Sequence, residues 1–573
     1  MTDKVQNNYT ASDALTEALV KGGITHIFLN SGTDYPSLIE SWAKFSAEGR
    51  EIPEIIICPH ETVAMSAAQG YAQVTGNPQA VFVHVDVGTQ NIGGAIANAF
   101  RARIPALVMA GLSPYSTEGE LPGSRDNMIQ YIQNASDQAG IVRGYVKHIL
   151  ELRSGQTVQQ SIYRALQLAK SDVQAPVYLM APKEMLAEDG RDLGDLPLGF
   201  GKVEPSALDE ASLEFLADAL SKAERPLVVT SYIGRNKDGV SELVKFCENL
   251  AIPVVETPQS GMNFPSDHPL HLGIDVNAVM ADRDLILAID CDVPWLPKNV
   301  TFPEGCRLFF IDVDPIKDDI PIWHFPAERF MRADAETALK QLNRKLGDPA
   351  IGLDDDRISV RRAETAARHD ALKASIREEE AIGEAITPAY LCACIRDVIS
   401  EDTIIMNETI TNCPAVKLHI PRNRAGTLYD SGGSSLGWNG GAAIGAKLAF
   451  PDRDVVALTG DGSYVFTCPT AVHWVARKYG TPFLTVVFNN GGWTAPKYAA
   501  LGMYPEGYAA ENGLFFNGLD PASRYDLIAE AAGGAFAATV DDPKKLTDAL
   551  KEGLAAVRSG QSAVINVILP VTA

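Results

Sequence analysis

Short, mostly apolar runs that alternate with longer amphipathic stretches constrain this chain more than any other feature. The runs ITHIFLN, EIIIC, AVFVHV, PALVMAG and APVYLMAP follow one another through the first third of the sequence. Each is too short for a stable helix and lacks polar alternation, the pattern of a strand buried on both faces of a parallel sheet. Parallel strands need a crossover of a dozen or more residues, and the intervening helical patterns supply it. A second series, RPLVVTS, IPVVETP, DLILAID and CRLFFIDVD, begins after the Gly/Pro-rich stretch GDLPLGFGKVEPSA. A third, DTIIMNE, DVVALTGDG, TPFLTVVFNNGG and SAVINVILP, follows the charged stretch DDDRISVRRAETAARHDALKASIREEEA. The expected fold is α/β, with three doubly wound parallel-sheet domains at residues 1–190, 200–345 and 385–573. Residues 346–384 are expected to form a linker, solvated because its charges are mixed in sign. The first and third domains look alike in layout.

Length and composition narrow the function classes. At 573 residues the chain exceeds what a single core serves. With 46% hydrophobic and 21% charged residues it has ordinary globular usage, and no run reaches the 18 or so apolar residues of a membrane span. The N-terminal MTDKVQNNYTASDAL lacks the basic segment and apolar run of a secretory signal, so a cytoplasmic location and no membrane partner are expected. Eight scattered cysteines fit reduced thiols, and Cys392 and Cys394, two apart on a helical pattern, do not share a face as zinc ligands would. A net charge of −23 argues against nucleic acid, whose binding needs Lys and Arg to replace phosphate counterions.

The chemistry concentrates at strand ends. Ligands of open parallel sheets bind beyond the carboxyl ends of strands, where backbone N–H groups and helix N-termini hold phosphates. The strand DVVALT runs into Gly460-Asp461-Gly462-Ser463. Its glycines allow a diphosphate to approach the backbone, and Asp461 offers Mg²⁺ a hard oxygen. Alone, Gly-Asp-Gly is an ordinary turn. One crossover later TVVFNNGG places Asn489 and Asn490 at the same sheet edge. Asp461, the Asn490 side-chain oxygen and a nearby backbone carbonyl then make a plausible octahedral Mg²⁺ site with diphosphate oxygens and water.

Gly-Asp-Gly followed by Asn-Asn at the next strand end resembles the thiamine-diphosphate motif of the pyruvate decarboxylase, acetolactate synthase and benzoylformate decarboxylase superfamily. The resemblance covers essentially the whole chain. It implies a pyrimidine-binding first domain, a middle domain and a diphosphate-binding third domain, with the Gly492 carbonyl as the third Mg²⁺ ligand. The segment Pro59-His60-Glu61-Thr62-Val63-Ala64 is similar to the one in which a glutamate opens a helix and hydrogen-bonds the cofactor's pyrimidine. Glu61 takes that role by resemblance, and otherwise simply favours a helix N-terminus. Gly432-Gly433-Ser434-Ser435-Leu436-Gly437 resembles the segment that bends the cofactor: Leu436 matches the wedge, and the Ser434 carbonyl matches the acceptor of the 4′-amino group. The Walker pattern fails here, because Ala446 rather than Lys follows Gly445, and no Gly-x-Gly-x-x-Gly opens a βαβ unit.

Within the superfamily the first domain is most similar to benzoylformate decarboxylase. Val83-His84-Val85-Asp86 matches the segment of that enzyme's first active-site histidine, so His84 is the candidate for proton transfer. Asn30-Ser31-Gly32-Thr33 matches the loop whose hydroxyl binds the substrate carboxylate, with Thr33 in that place. A histidine at a strand end and a threonine in a turn are the structural alternatives. The loop Asp290-Cys291-Asp292-Val293-Pro294-Trp295 lacks the second histidine of that enzyme, and Asp34-Tyr35-Pro36 is also unlike it; Trp493 and Lys497 would add a ring and a cation to the pocket, or serve packing. The resemblance implies decarboxylation of a small 2-oxo acid through a C2 carbanion and an enamine. An acetolactate-synthase-like carboligase and a 2-hydroxyacyl-CoA or diketone lyase are the alternatives. FAD in the middle domain is possible but no motif indicates it. A homodimer or homotetramer is implied, because the family places the glutamate and the metal ligands of one site in different subunits.

Overall fold

Strands form at each of the apolar runs, and four sheet-edge strands, His148–Glu151, Arg329–Arg332, Leu428–Asp430 and Phe536–Val540, fall outside them. The computed structural model describes residues 9–194, 200–257 and 261–570; the first eight residues and part of the GDLPLGFGKVEPSA stretch lie outside them. The first sheet contains β1 (His26–Leu29), β2 (Glu54–Ile57), β3 (Ala80–Val83), β4 (Leu107–Leu112), β5 (His148–Glu151) and β6 (Val177–Pro182). The middle sheet contains β7 (Pro226–Thr230), β8 (Val254–Glu256), β9 (Leu285–Ile289), β10 (Arg307–Asp312) and β11 (Arg329–Arg332). The third contains β12 (Ile404–Glu408), β13 (Leu428–Asp430), β14 (Val455–Gly460), β15 (Leu484–Asn489), β16 (Phe536–Val540) and β17 (Ala563–Ile568). Every neighbouring pair is parallel. Helices cover both faces, which is why β9 (LILAI) and β15 (LTVVFN) are buried along their whole length.

The strand orders are β2-β1-β3-β4-β6-β5, β11-β10-β9-β7-β8 and β13-β12-β14-β15-β17-β16. Counted from its own first strand, the third sheet repeats the first. In each, the order reverses beside the first strand, between β1 and β3, β7 and β9, and β12 and β14. Loops leaving such a pair turn to opposite faces and open a crevice at the carboxyl ends.

One helix pair sets the first domain on the third. Glu61–Thr75 and Asn439–Ala449 approach so closely that a Cβ on Gly445 would lie 2.0 Å from the Ala67 carbonyl oxygen, and one on Gly70 2.3 Å from that of Ala442. Glycine is required there because backbone meets backbone.

Most of the charged stretch is exposed, as expected of a solvated linker, but one face binds. It is a 25-residue helix, Asp355–Glu379, docked on the middle domain. Arg361 donates to the carbonyls of Leu250 and Ala223, each at 3.0 Å, and Arg357 to that of Lys222 at 3.0 Å. These carbonyls lie at the C-terminal ends of the helices Glu210–Lys222 and Lys237–Leu250, where unpaired C=O groups and the dipole favour cations. Mixed charge thus served docking as well as solvation. Among the described residues no helix is long and apolar enough to cross a membrane.

Candidate active site

At the switch point of the third sheet, β14 delivers Asp461 to the start of the short helix Asp461–Phe466. Asp461 is buried, and its Oδ1 accepts from the Gly462 N–H at 2.8 Å. Its Oδ2 is buried with no hydrogen-bond partner, and desolvation raises its pKa. An orphaned buried acceptor costs on the order of 1–3 kcal/mol, so this oxygen is fitted to a ligand. Asn490, next in line after β15, donates its amide N–H to Thr494 Oγ1 at 2.7 Å, which leaves the side-chain oxygen to accept a cation. Gly492 has φ +154°, and a Cβ there would meet the Asn517 carbonyl at 2.1 Å. A Cβ on Gly462 would meet the Trp493 indole at 2.2 Å. The loop after β15 is therefore folded tightly against the Gly-Asp-Gly turn, and the donor set of carboxylate, amide oxygen and backbone carbonyl suits Mg²⁺.

A cavity of about 290 Å³ gathers the residues singled out in the third domain: Ser434, Leu436, Gly460, Asp461, Gly462, Ser463, Asn490 and Gly492. Its other wall, Thr409–Asn412, was not anticipated. The available signal was positional: these polar residues follow β12, across the switch point from β14. Glu408, also unanticipated, joins the two walls. At the end of β12 its carboxylate accepts from the Gly437 N–H at 2.6 Å and the Asn439 N–H at 2.9 Å. It thereby holds the turn after Ser434–Leu436 and caps the helix Asn439–Ala449, and burial pushes its pKa up to about 7. The first domain holds the same segment from behind, since Asn98 donates to the Ser435 carbonyl at 2.8 Å and accepts from the Ser435 N–H at 3.1 Å.

Among the described residues, none of the first domain lines that cavity. Glu61 opens the helix Glu61–Thr75, buried, with Oε2 accepting from Asn91 at 3.0 Å. Its neighbours His60 and Thr62 line a separate groove with Ser435, Leu436, Phe466 and Cys468. Leu436 borders both spaces. His84 and Thr33 lie at the first sheet's own switch point. Thr33 is exposed, whereas His84 is half-buried with Nδ1 2.7 Å from Asp34 Oδ1 and Nε2 3.2 Å from Gln133 Oε1. The Asp34 hydrogen bond holds the histidine pKa above its ordinary value, against the effect of burial. Within one chain, then, the structure brings the third-domain residues together and leaves Glu61, His84 and Thr33 apart from them.

Three family models match in sequence order: the thiamine pyrophosphate enzyme N-terminal binding domain at residues 9–141, its central domain at 213–342 and its C-terminal binding domain at 410–567. The chain belongs to the thiamine pyrophosphate enzyme family. A benzoylformate decarboxylase from Pseudomonas aeruginosa is 26% identical over 86% of this chain and 88% of that protein. The acetolactate synthase large subunit of Lactococcus lactis is 25% identical over 96% of this chain and 91% of that protein. In fold, the chain matches a 4-hydroxybenzoylformate decarboxylase from Rhodococcus jostii with a TM-score of 0.78 at 22% identity, over 98% and 99% of the two chains.

In this member of the thiamine pyrophosphate enzyme family the middle-domain edge carries a buried ion-pair cluster. The loop that lacks histidine is tied to the first domain instead: Arg103 reaches Asp290 and Asp312, each at 3.0 Å, and Asp292 at 2.6 Å, while Lys317 reaches Asp312 at 2.6 Å. Trp493 lines the cavity. Lys497 is buried on the following helix, 5.2 Å from the Phe515 ring centre.

Proposed function

We propose that this protein is a thiamine-diphosphate and Mg²⁺ dependent enzyme that decarboxylates a small 2-oxo acid. The observation that carries the reading is the Asp461 cavity, where a partnerless buried carboxylate oxygen, the Asn490 amide oxygen and the glycine-rich Ser434–Leu436 wall converge. When bound, the cofactor supplies an acidic carbon that adds to a keto group and then accepts the electrons left by departing CO₂.

In this reading Asp461, the Asn490 side-chain oxygen and the Gly492 carbonyl hold Mg²⁺, and Gly460, Gly462 and Ser463 present backbone N–H groups to the diphosphate at a helix start. The Ser434 carbonyl and Leu436 hold the pyrimidine side. Glu61, at a helix N-terminus that favours its ionised form, accepts a hydrogen bond from the pyrimidine ring. Thr33 binds the substrate carboxylate and His84 delivers a proton to the product. None of the described residues of its own first domain walls the Asp461 cavity, which supports the Glu61 half coming from a second copy, in a homodimer or a pair of dimers.

A carboligase is the second reading, supported by the similarity to an acetolactate synthase over nearly the whole chain. The deciding experiment strips the protein of cofactor and follows CO₂ release from pyruvate, benzoylformate and branched 2-oxo acids, with and without thiamine diphosphate and Mg²⁺. Cofactor-dependent release with an aldehyde product is expected. An acyloin or acetohydroxy acid product would favour the second reading, and no release from any acid would overturn both.

A further inference from the structure

We propose that Asp34 is the positioning residue for His84, holding the imidazole as a charged donor so that protonation of the product carbon prevails over its ligation to a second carbonyl. The proposal rests on His84 being the proton donor of the reading above. Its ground is the first sheet's crevice. The order β2-β1-β3 sets the loop after β1, which carries Asp34, beside the end of β3, which carries His84. The third sheet repeats this order, and its equivalent crevice between β12 and β14 is the Asp461 cavity. Asp34 and His84 thus occupy the first domain's counterpart of a ligand site.

The crevice is shaped around the Asp34 carboxylate, which is 2% exposed. A Cβ on Gly111 would lie 1.8 Å from Asp34 Oδ2, and one on Gly32 would lie 2.0 Å from His84 Nδ1 and 2.4 Å from Asp34 Oδ1. Both glycines leave room for this pair and nothing larger. Val85 adopts φ +26°, costly for a β-branched residue, and its N–H donates to Asp34 Oδ2 at 3.3 Å. The backbone and the side chain of the His84–Val85 step are therefore both fixed by one carboxylate.

His84 faces the Asp34 carboxylate, an acceptor, at Nδ1 and the Gln133 side-chain amide at Nε2, whose oxygen lies 3.2 Å away in the orientation seen here. An imidazole donates from both nitrogens only when protonated. The charged groups that face it agree. Asp34 comes from the loop after β1, and Asp86 from the helix Val85–Asn91; both raise the histidine pKa, Asp34 chiefly through its hydrogen bond. Asp86 is buried, with one carboxylate oxygen unpartnered. Gln133 marks the place where an acceptor of the Nε2 proton sits.

The step balances simply. As CO₂ leaves, the electron pair of the broken C–C bond, drawn into the cofactor, stays available at the former keto carbon. The His84 Nε2–H bond breaks, a C–H bond forms at that carbon, and the neutral ring, still held by Asp34, regains a proton from water. A second carbonyl competes for the same electron pair only while no proton is at hand.

The test uses the holoenzyme loaded with thiamine diphosphate and Mg²⁺. Carbethoxylation of His84 by diethyl pyrocarbonate, which attacks neutral imidazole, is followed by peptide mass mapping between about pH 5.5 and 8.5. In the wild-type protein His84 should resist until the pH passes the ordinary histidine range. In Asp34→Asn its rate near neutral pH should rise several-fold, because the hydrogen bond that favours the charged ring is lost. Product analysis should shift from aldehyde toward acyloin, with kcat changed more than KM. Matching pH profiles in the two proteins would overturn the proposal. So would a wild-type His84 that reacts fully at the acid end, which decides the matter even where the variant does not fold. A preparation that releases no CO₂ from any 2-oxo acid refutes the functional reading, while the labelling profile still decides the Asp34–His84 pairing.

Discussion

Asp461 and Glu61 are both buried carboxylates at helix starts, yet their surroundings assign them different work. Asp461 keeps one oxygen without a partner, whereas Glu61 is steadied by Asn91. Asp461→Ala is expected to lose Mg²⁺ and thiamine diphosphate together, read as metal content after dialysis and as a lost fluorescence titration. Glu61→Gln is expected to keep cofactor binding within a few-fold while turnover falls by roughly 10²–10⁴, the usual contribution of a placed proton-transfer partner. A fully active Glu61→Gln enzyme would remove the first domain from the chemistry. Both positions stood out in the sequence because their motifs are local: a strand end, a turn and a helix start lie within a few residues. Asp34 and Glu408 did not, because each acts on a partner far along the chain.

At the scale of elements, two contacts set the wall of the Asp461 cavity. The first is Glu408, which ties the end of β12 to the helix start at Asn439. Its carboxyl is raised from 4.5 to about 7 by burial. Between those values the unfolded chain is ionised and the folded one protonated, so this group's contribution to stability falls as pH rises through the window. Glu408→Gln removes that dependence. Thermal melts should show the wild type losing ground to the variant between about pH 5 and 7, while the variant binds thiamine diphosphate more weakly because an amide N–H would oppose the Gly437 or Asn439 N–H. Equal pH dependence of the two melting curves would refute the assignment. The second contact is the glycine-lined crossing of Glu61–Thr75 and Asn439–Ala449. Gly445→Val places side chain where the Ala67 carbonyl sits and should cost about 1–3 kcal/mol or more, measured by denaturant unfolding.

At the scale of the molecule the question is which chains share a site. If Glu61 of one subunit serves the Asp461 cavity of another, Glu61→Gln and Asp461→Ala proteins, each inactive alone, complement each other after mixing and reassembly. One site of each mixed dimer is then intact, and about a quarter of wild-type activity should return for random pairing in a two-fold dimer. No recovery would place the whole site within one chain. The docked helix Asp355–Glu379 belongs to this scale as well, since its arginines cap two middle-domain helices.

The sequence by itself determined the three-sheet architecture and which third-domain residues meet at the Asp461 cavity. Strands buried on both faces leave a continuous apolar signal, and Gly-Asp-Gly with Asn-Asn sits at consecutive strand ends that one crossover must bring together. It also carried the candidacy of Glu61 and His84, through their resemblance to a known family. What it could not carry were the relations between distant segments. Thr409–Asn412 became a cavity wall, Asp34 met His84, and Glu408 gripped the Gly437 turn only because the strand order reverses beside the first strand of each sheet. Strand order is fixed by how crossovers pack over a whole domain, and no short stretch of residues encodes it. The mixed-charge helix was read as solvated for the same reason: its arginines are satisfied by carbonyls more than a hundred residues away, at helix ends that only the folded middle domain presents.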